Sequence, residues 1–124
     1  MSIDNPNWKA EYKTWSDEAA AKFIESEVLG GVRTDQLPVG SSIWINTRNT
    51  KYLLEHREDG FYISGSPERC PTPTLVEING SNFGGSSFKM DYIGRGMNLE
   101  IKDPIDPERS WTTSKVQSIE MVKE

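Results

Sequence analysis

The chain has 124 residues, of which 35% are hydrophobic, and a formal net charge of −5. This length suits one ordinary domain with a single core. The acidic balance argues against sequence-independent binding to nucleic acid, which needs clustered Lys and Arg to neutralise phosphates. It also argues against docking on an anionic membrane surface.

Cys70 is the only cysteine of the chain. One thiol permits no internal disulfide and no cysteine-based metal site, and we expect neither a metal nor another cofactor. No apolar run approaches the length of a membrane span, and the first residues lack the basic start and apolar run of a signal peptide. We therefore expect a soluble, cytoplasmic protein with no nucleic-acid or membrane partner.

Residues 1–40 are predicted to form a helical segment that packs on the rest of the chain. The clearest helix spans 17–28, where Ser16 is a good N-cap and acidic residues in the first turn suit the helix dipole. Gly30 then ends it, as glycine commonly does past a last turn. Aromatic residues at helical spacing upstream leave two alternatives open, a separate first helix or one bent helix. The apolar face of the main helix comprises Ala20, Phe23, Ile24 and Val28.

Residues 41–124 are predicted to form an antiparallel β domain, so that the chain makes one structural domain in two parts. Alternation of apolar and polar residues over 42–65 is typical of half-buried strands, and Asp59-Gly60 suits a tight hairpin turn. No helical pattern separates the strands, which argues against a parallel sheet. We expect a mainly β fold, an N-terminal helix followed by an antiparallel meander or small open β-barrel of about six strands. Further strands are predicted over 74–79, 88–93, 97–102 and 111–122.

The alternation also predicts which side chains form the core and where the last strand is irregular. Val116 and Ile119 are three residues apart, and a strand buries both only if a β-bulge lies between them. The glycine-rich stretch 80–87 lacks the lysine of a Walker loop, and we expect a structural connection anchored by an inward Phe83. The predicted core comprises Ile43, Ile45, Leu54, Ile63, Val76, Ile78, Leu99 and Ile101.

Few residues are candidates for chemistry. The polar turn at 47–50 contains Arg48, whose planar guanidinium suits a carboxylate, and Asn49. His56 is the only histidine and is expected inward or at a barrel mouth. The structural alternatives are that Arg48 pairs with an acid and that His56 packs near a hairpin end. We take Arg48, Asn49 and His56 as candidate ligand-binding residues and predict no catalytic residue.

Five segments occur in a suggestive order: T-R-N-T-K-Y, I-S-G, E-I-N-G-S-N-F-G-G-S, Y-I-G-R-G-M-N-L-E-I and T-T-S-K-V-Q-S-I. This set resembles a group of small uncharacterised bacterial proteins with T-R-N-(S/T)-x-Y near the start and T-S-x-V-x-x-I at the end. The similarity covers residues 41–120 and does not include the helical start. The resemblance implies a single β domain in a bacterial or phage setting, and it carries over no activity, cofactor or catalytic residue.

The residue pattern contains no convincing nucleophile–base pair, metal cluster or cofactor loop. We therefore expect a non-catalytic module that binds a protein partner, self-associates or takes part in an assembly. The alternative is a small-ligand-binding β-barrel or a minor enzyme with a site around Arg48 and His56. A deep pocket lined by these two residues would favour the alternative, whereas a flat face rich in Trp or Tyr would favour the interaction module.

Overall fold

The computed structural model describes residues 16–28, 30–83 and 88–122. The aromatic residues upstream, and with them the question of one helix or two, lie outside the described residues. Within these ranges the elements are, in chain order, α1 Asp17–Val28, β1 Gly31–Arg33, β2 Ser42–Thr47, β3 Lys51–Arg57, β4 Gly60–Ser64, β5 Thr74–Asn82, β6 Phe88–Met90, β7 Tyr92–Gly94, β8 Asn98–Lys102 and β9 Trp111–Met121.

A closed antiparallel barrel of six strands makes up most of the fold. The strands follow a meander in the order β2, β3, β4, β5, β8 and β9, and β9 then pairs with β2. The mainly β fold class predicted from the sequence is confirmed, and the barrel is closed rather than open. Closure leaves neither β2 nor β4 as an exposed edge, which protects both strands from pairing with another chain.

Two long strands, β5 and β9, each pair with one neighbour along the first part of their length and with another neighbour along the rest. β5 pairs with β4 through residues 74–76 and with β8 through residues 77–82. β9 pairs with β8 through its first half and with β2 through its second half. These two strands therefore form the corners at which the sheet turns back on itself.

The bulge predicted in the last strand is confirmed. The register between β2 and β9 shifts next to Thr47, and Gln117 is left as an extra residue between Val116 and Ser118. Val116 and Ile119 are both buried. The extra residue lets two apolar side chains at odd spacing point into the same interior.

Aliphatic side chains fill the barrel interior, and every residue predicted for the core is buried. A small ribbon, in which β1 pairs with β7, and the helix α1 add Phe23, Val32 and Ile93 to the same cluster. The sequence analysis missed β1, because a strand of three residues is too short to show alternation. The division into parts at 1–40 and 41–124 stays a prediction.

Helix α1 begins as predicted, but its apolar face is only partly buried. The backbone N–H of Ala19 donates to Ser16 Oγ at 3.1 Å, which is the expected N-cap bond. Phe23 reaches the core, whereas Ile24 and Val28 are exposed, so the prediction was wrong for these two residues. The helix packs against β1 of the narrow ribbon, which covers less of the helix than a broad sheet face would.

Residues 80–83, the described part of the predicted connection over 80–87, lie partly in a strand. Gly80 belongs to β5, and a side chain there would collide with the Lys89 carbonyl oxygen, so the close approach of β5 and β6 requires glycine. Phe83 was predicted to point inward, and this was wrong. Its side chain is 62% exposed because it follows the last paired residue of β5. Residues 84–87 lie outside the described part of the chain.

Leu99 provides a test of the core. Leu99→Ala is expected to lower the free energy of unfolding by about 2–5 kcal/mol, because the substitution loses buried apolar surface and leaves a cavity. Urea titration followed by tryptophan fluorescence measures this change. Ile105→Ala is the matched control, since Ile105 is 88% exposed, and its effect is expected to stay below about 0.5 kcal/mol. Equal losses in the two variants would show that Leu99 does not lie in the interior.

Candidate functional site

A gap lies along one edge of β5, between two strands that both pair with that edge. β4 pairs with β5 up to Val76, and β6 pairs with it from Gly80 onward. Between them, Asn79 is the extra residue of a β-bulge on the opposite side, where β5 pairs with β8. Bulges re-aim side chains and are common beside functional sites. The gap is therefore a place where the barrel wall is interrupted.

Asp91 closes one end of this gap by turning the chain from β6 into the ribbon. Its φ of 53° lies in the left-handed region, and it is the only non-glycine residue of the described ranges with a positive φ. Its N–H donates to the Asn79 carbonyl at 3.1 Å, and its carbonyl accepts from the Thr34 N–H at 2.9 Å. This turn also splits the single strand predicted over 88–93 into β6 and β7.

A groove of about 560 Å³ lies at the gap. The barrel strands β4 and β5 form one wall, and β6 with the turn at Asp91 forms the other. Phe88 and Met90 are 45% and 69% exposed at its edge, and neighbouring exposed apolar side chains often mark a binding site. The apolar residues that line the groove are Phe61, Leu75, Val76, Ile78, Phe88, Met90 and Pro104.

Three carboxylates, those of Asp59, Glu77 and Asp91, also line the groove. Among the described residues that line it, none is Lys or Arg. The Tyr62 hydroxyl donates to the Asp59 carboxylate at 2.7 Å, and this bond raises the pKa of the phenol. The groove thus combines an apolar floor with a negative rim, an arrangement that complements a cationic group on an apolar body.

Arg48 and Asn49 are held by their backbone in the turn between β2 and β3. The Arg48 N–H donates to the Lys115 carbonyl at 3.0 Å, and the Asn49 N–H donates to the Ser114 hydroxyl at 3.2 Å. Both side chains are exposed. Two segments of the resemblance, T-R-N-T-K-Y and T-T-S-K-V-Q-S-I, therefore meet here, and the polar turn has a structural role in joining β2 to β9.

His56 lies at the other end of β3, and its ring already has partners. Its Nδ1 lies 2.5 Å from the Leu37 carbonyl oxygen, and because a carbonyl only accepts, Nδ1 carries the proton. The ring stacks on Phe61 with centroids 4.3 Å apart, and Phe61 in turn lines the groove. Seven residues of mostly extended chain place His56 roughly 20 Å from Asn49. The structure does not bring the three predicted residues together.

The outer face of β2, β3 and β4 contains Trp44 and Tyr62, the aromatic surface that the sequence analysis considered. The Lys51 ammonium lies 4.5 Å from the centre of the Trp44 ring. The Arg57 guanidinium lies 4.2 Å from the centre of the Tyr62 ring. These cations occupy the faces of the rings, and this surface is therefore less available to a partner than the groove.

Other sites of chemistry are few in the part of the chain that the structure describes. There, no group of three or more His, Cys, Asp or Glu side chains is arranged to hold a metal ion. No helix among these residues is long and apolar enough to cross a membrane. The Asp103 carboxylate accepts from the backbone N–H groups of Asp106 and Ile105, bonds that lower its pKa and order the loop after β8.

Comparisons with protein-family models, with curated proteins and with solved structures gave no match. Sequence analysis missed the groove because it forms where β4 and β6 leave a gap along one edge of β5, and alternation within a strand does not indicate which neighbours that strand pairs with. One signal was present, since Asp91 is an acid inside an otherwise strand-like stretch. The alternative function around Arg48 and His56 stays a prediction.

Cys70 allows a test of how tightly the barrel is closed. Its side chain is fully buried, and burial raises the pKa of the thiol. Because only an accessible thiolate attacks disulfide reagents, the native protein should react with dithionitrobenzoate at least about 100 times more slowly than the protein in guanidinium chloride. Absorbance of the released nitrothiobenzoate measures both rates. Similar rates in the two conditions would mean that the loop containing Cys70 opens readily.

Proposed function

We propose that this protein is a non-catalytic interaction module whose groove holds a segment of another protein with Arg or Lys beside an apolar side chain. The groove is the observation that supports the proposal, because it combines an apolar floor, three carboxylates and two exposed apolar side chains. A protein segment suits a groove that runs along strands at the surface. The barrel interior is filled with side chains and favours no enclosed ligand.

The apolar contacts account for most of the expected affinity. Covering exposed apolar surface contributes about 25 cal/mol per Å², so burying much of Phe88 and Met90 contributes a few kcal/mol before the cost of association. The carboxylates contribute selectivity more than affinity, since an exposed ion pair contributes only about 0.2–1 kcal/mol. A short peptide is therefore expected to bind with a Kd on the order of 0.1–1 mM.

A short basic peptide tests the proposal. The arginine peptide, with the sequence Gly-Arg-Phe-Leu-Arg-Gly, is expected to shift the backbone amide NMR signals of Phe88, Met90 and Asp91 saturably. A glutamate peptide, in which Glu replaces both Arg residues, is expected to cause no saturable shift, because like charges would meet at the rim. Titration of the isotope-labelled protein with each peptide measures the two affinities.

Substitutions of the two exposed apolar residues at the edge of the groove distinguish binding in the groove from a nonspecific attraction between the protein and the peptide. Phe88→Ser combined with Met90→Ser is expected to raise the Kd for the arginine peptide at least about tenfold, a loss of roughly 1.4 kcal/mol or more. Val39→Ser is the matched control, since Val39 is 48% exposed and does not line the groove. Absence of saturable shifts with the arginine peptide, or equal binding of the glutamate peptide, would overturn the proposal.

A further inference from the structure

We infer that Asp91 is the residue that selects the cationic side chain of the bound segment, an inference that rests on the proposed function of the groove. Three carboxylates line the groove, and they differ in what already surrounds them.

The other two carboxylates already have polar or charged neighbours. Asp59 accepts the hydrogen bond from the Tyr62 hydroxyl at 2.7 Å. Glu77 is paired directly across the sheet with Lys102, and residues in such a pair have neighbouring side chains on the same face. A cation brought by a partner would compete with these neighbours at either position.

In the part of the chain that the structure describes, the Asp91 carboxylate accepts no side-chain hydrogen bond, although the charge of Arg33 acts on it from β1. Arg33, on the neighbouring ribbon strand, is held by Asp35 through two hydrogen bonds of 3.1 and 2.7 Å. No Lys, Arg or His of the described ranges forms an ion pair with Asp91. Its carboxylate is exposed and lines the groove, so it is available to a cation from outside.

The backbone of Asp91 is fixed on both sides of the turn. Its N–H is bonded to the Asn79 carbonyl of β5, and its carbonyl accepts from both the N–H and the hydroxyl of Thr34. A charged group on a backbone that is held in place loses little conformational freedom when it binds. The fixed turn therefore presents the carboxylate at a defined point on the rim.

The conformation of Asp91 shows that the turn does not itself require a carboxylate. At a φ of 53°, glycine is free of the steric cost that a side chain incurs, and asparagine also adopts this region readily. Either residue would complete the turn and keep the same backbone bonds. Aspartate shares this tolerance of a positive φ, so a substitution of Asp91 by asparagine or glycine tests the carboxylate without disturbing the turn.

A comparison of charged and neutral peptides on two proteins tests the inference. The citrulline peptide replaces both Arg residues of the arginine peptide with citrulline, which keeps the shape of the side chain and removes its charge. On the wild-type protein, this change is expected to weaken binding about threefold to fivefold. On Asp91→Asn, the same change is expected to weaken binding less than about 1.5-fold, because the charge has lost its partner.

Two further variants make the comparison secure. Asp91→Gly removes the carboxylate and suits a positive φ, and the same loss of discrimination is expected. Glu68→Gln removes one negative charge, as Asp91→Asn does, at an exposed residue that does not line the groove, and wild-type discrimination is expected to remain. If wild-type and Asp91→Asn discriminate equally, the inference is wrong while the proposed function stands. If the wild-type protein does not bind the arginine peptide, both fail.

Discussion

Six strands close into this barrel only because β5 and β9 each bend and pair with neighbours in both halves. An extra residue marks each bend, Asn79 in β5 and Gln117 in β9, and such bulges increase the local bend and twist of a strand. With both bends in place, aliphatic side chains from all six strands meet in one filled interior. Without them, β2 and β4 would remain exposed edges.

The bend in β5 also determines where a partner can be bound. On one edge of β5, the pairing with β4 stops before Asn79 and the pairing with β6 begins after it. The turn at Asp91 leads the chain away from β5, so that β6 does not reach β4. The groove forms in the space between them, and its floor includes Val76 and Ile78, which are already buried in the barrel wall. Because these side chains are ordered before binding, a partner incurs little cost for organising them.

The sequence predicted the parts of this fold that depend on local pattern. Alternation identified Leu99 and the other aliphatic residues of the interior, and the spacing of Val116 and Ile119 required a bulge. The ribbon strand β1 was missed because three residues show no period, and the inward Phe83 was wrong because β5 runs further than its composition indicated. The candidate residues Arg48, Asn49 and His56 were predicted from their side-chain chemistry alone. Side-chain chemistry does not reveal that the His56 ring is already hydrogen-bonded to the Leu37 carbonyl. The groove depends on where the pairings of β4 and β6 with β5 stop, and no pattern within a single strand encodes that.

The most direct test of the account is where the arginine peptide lies when bound. Intermolecular nuclear Overhauser effects connect protons that are within about 5 Å, a distance at which side chains are in van der Waals contact. The account predicts such effects between the phenylalanine ring of the peptide and the methyl groups of Met90 and Leu75, both of which line the groove. Effects from that ring to Trp44 on the outer face of β2, with none to Met90 or Leu75, would contradict it.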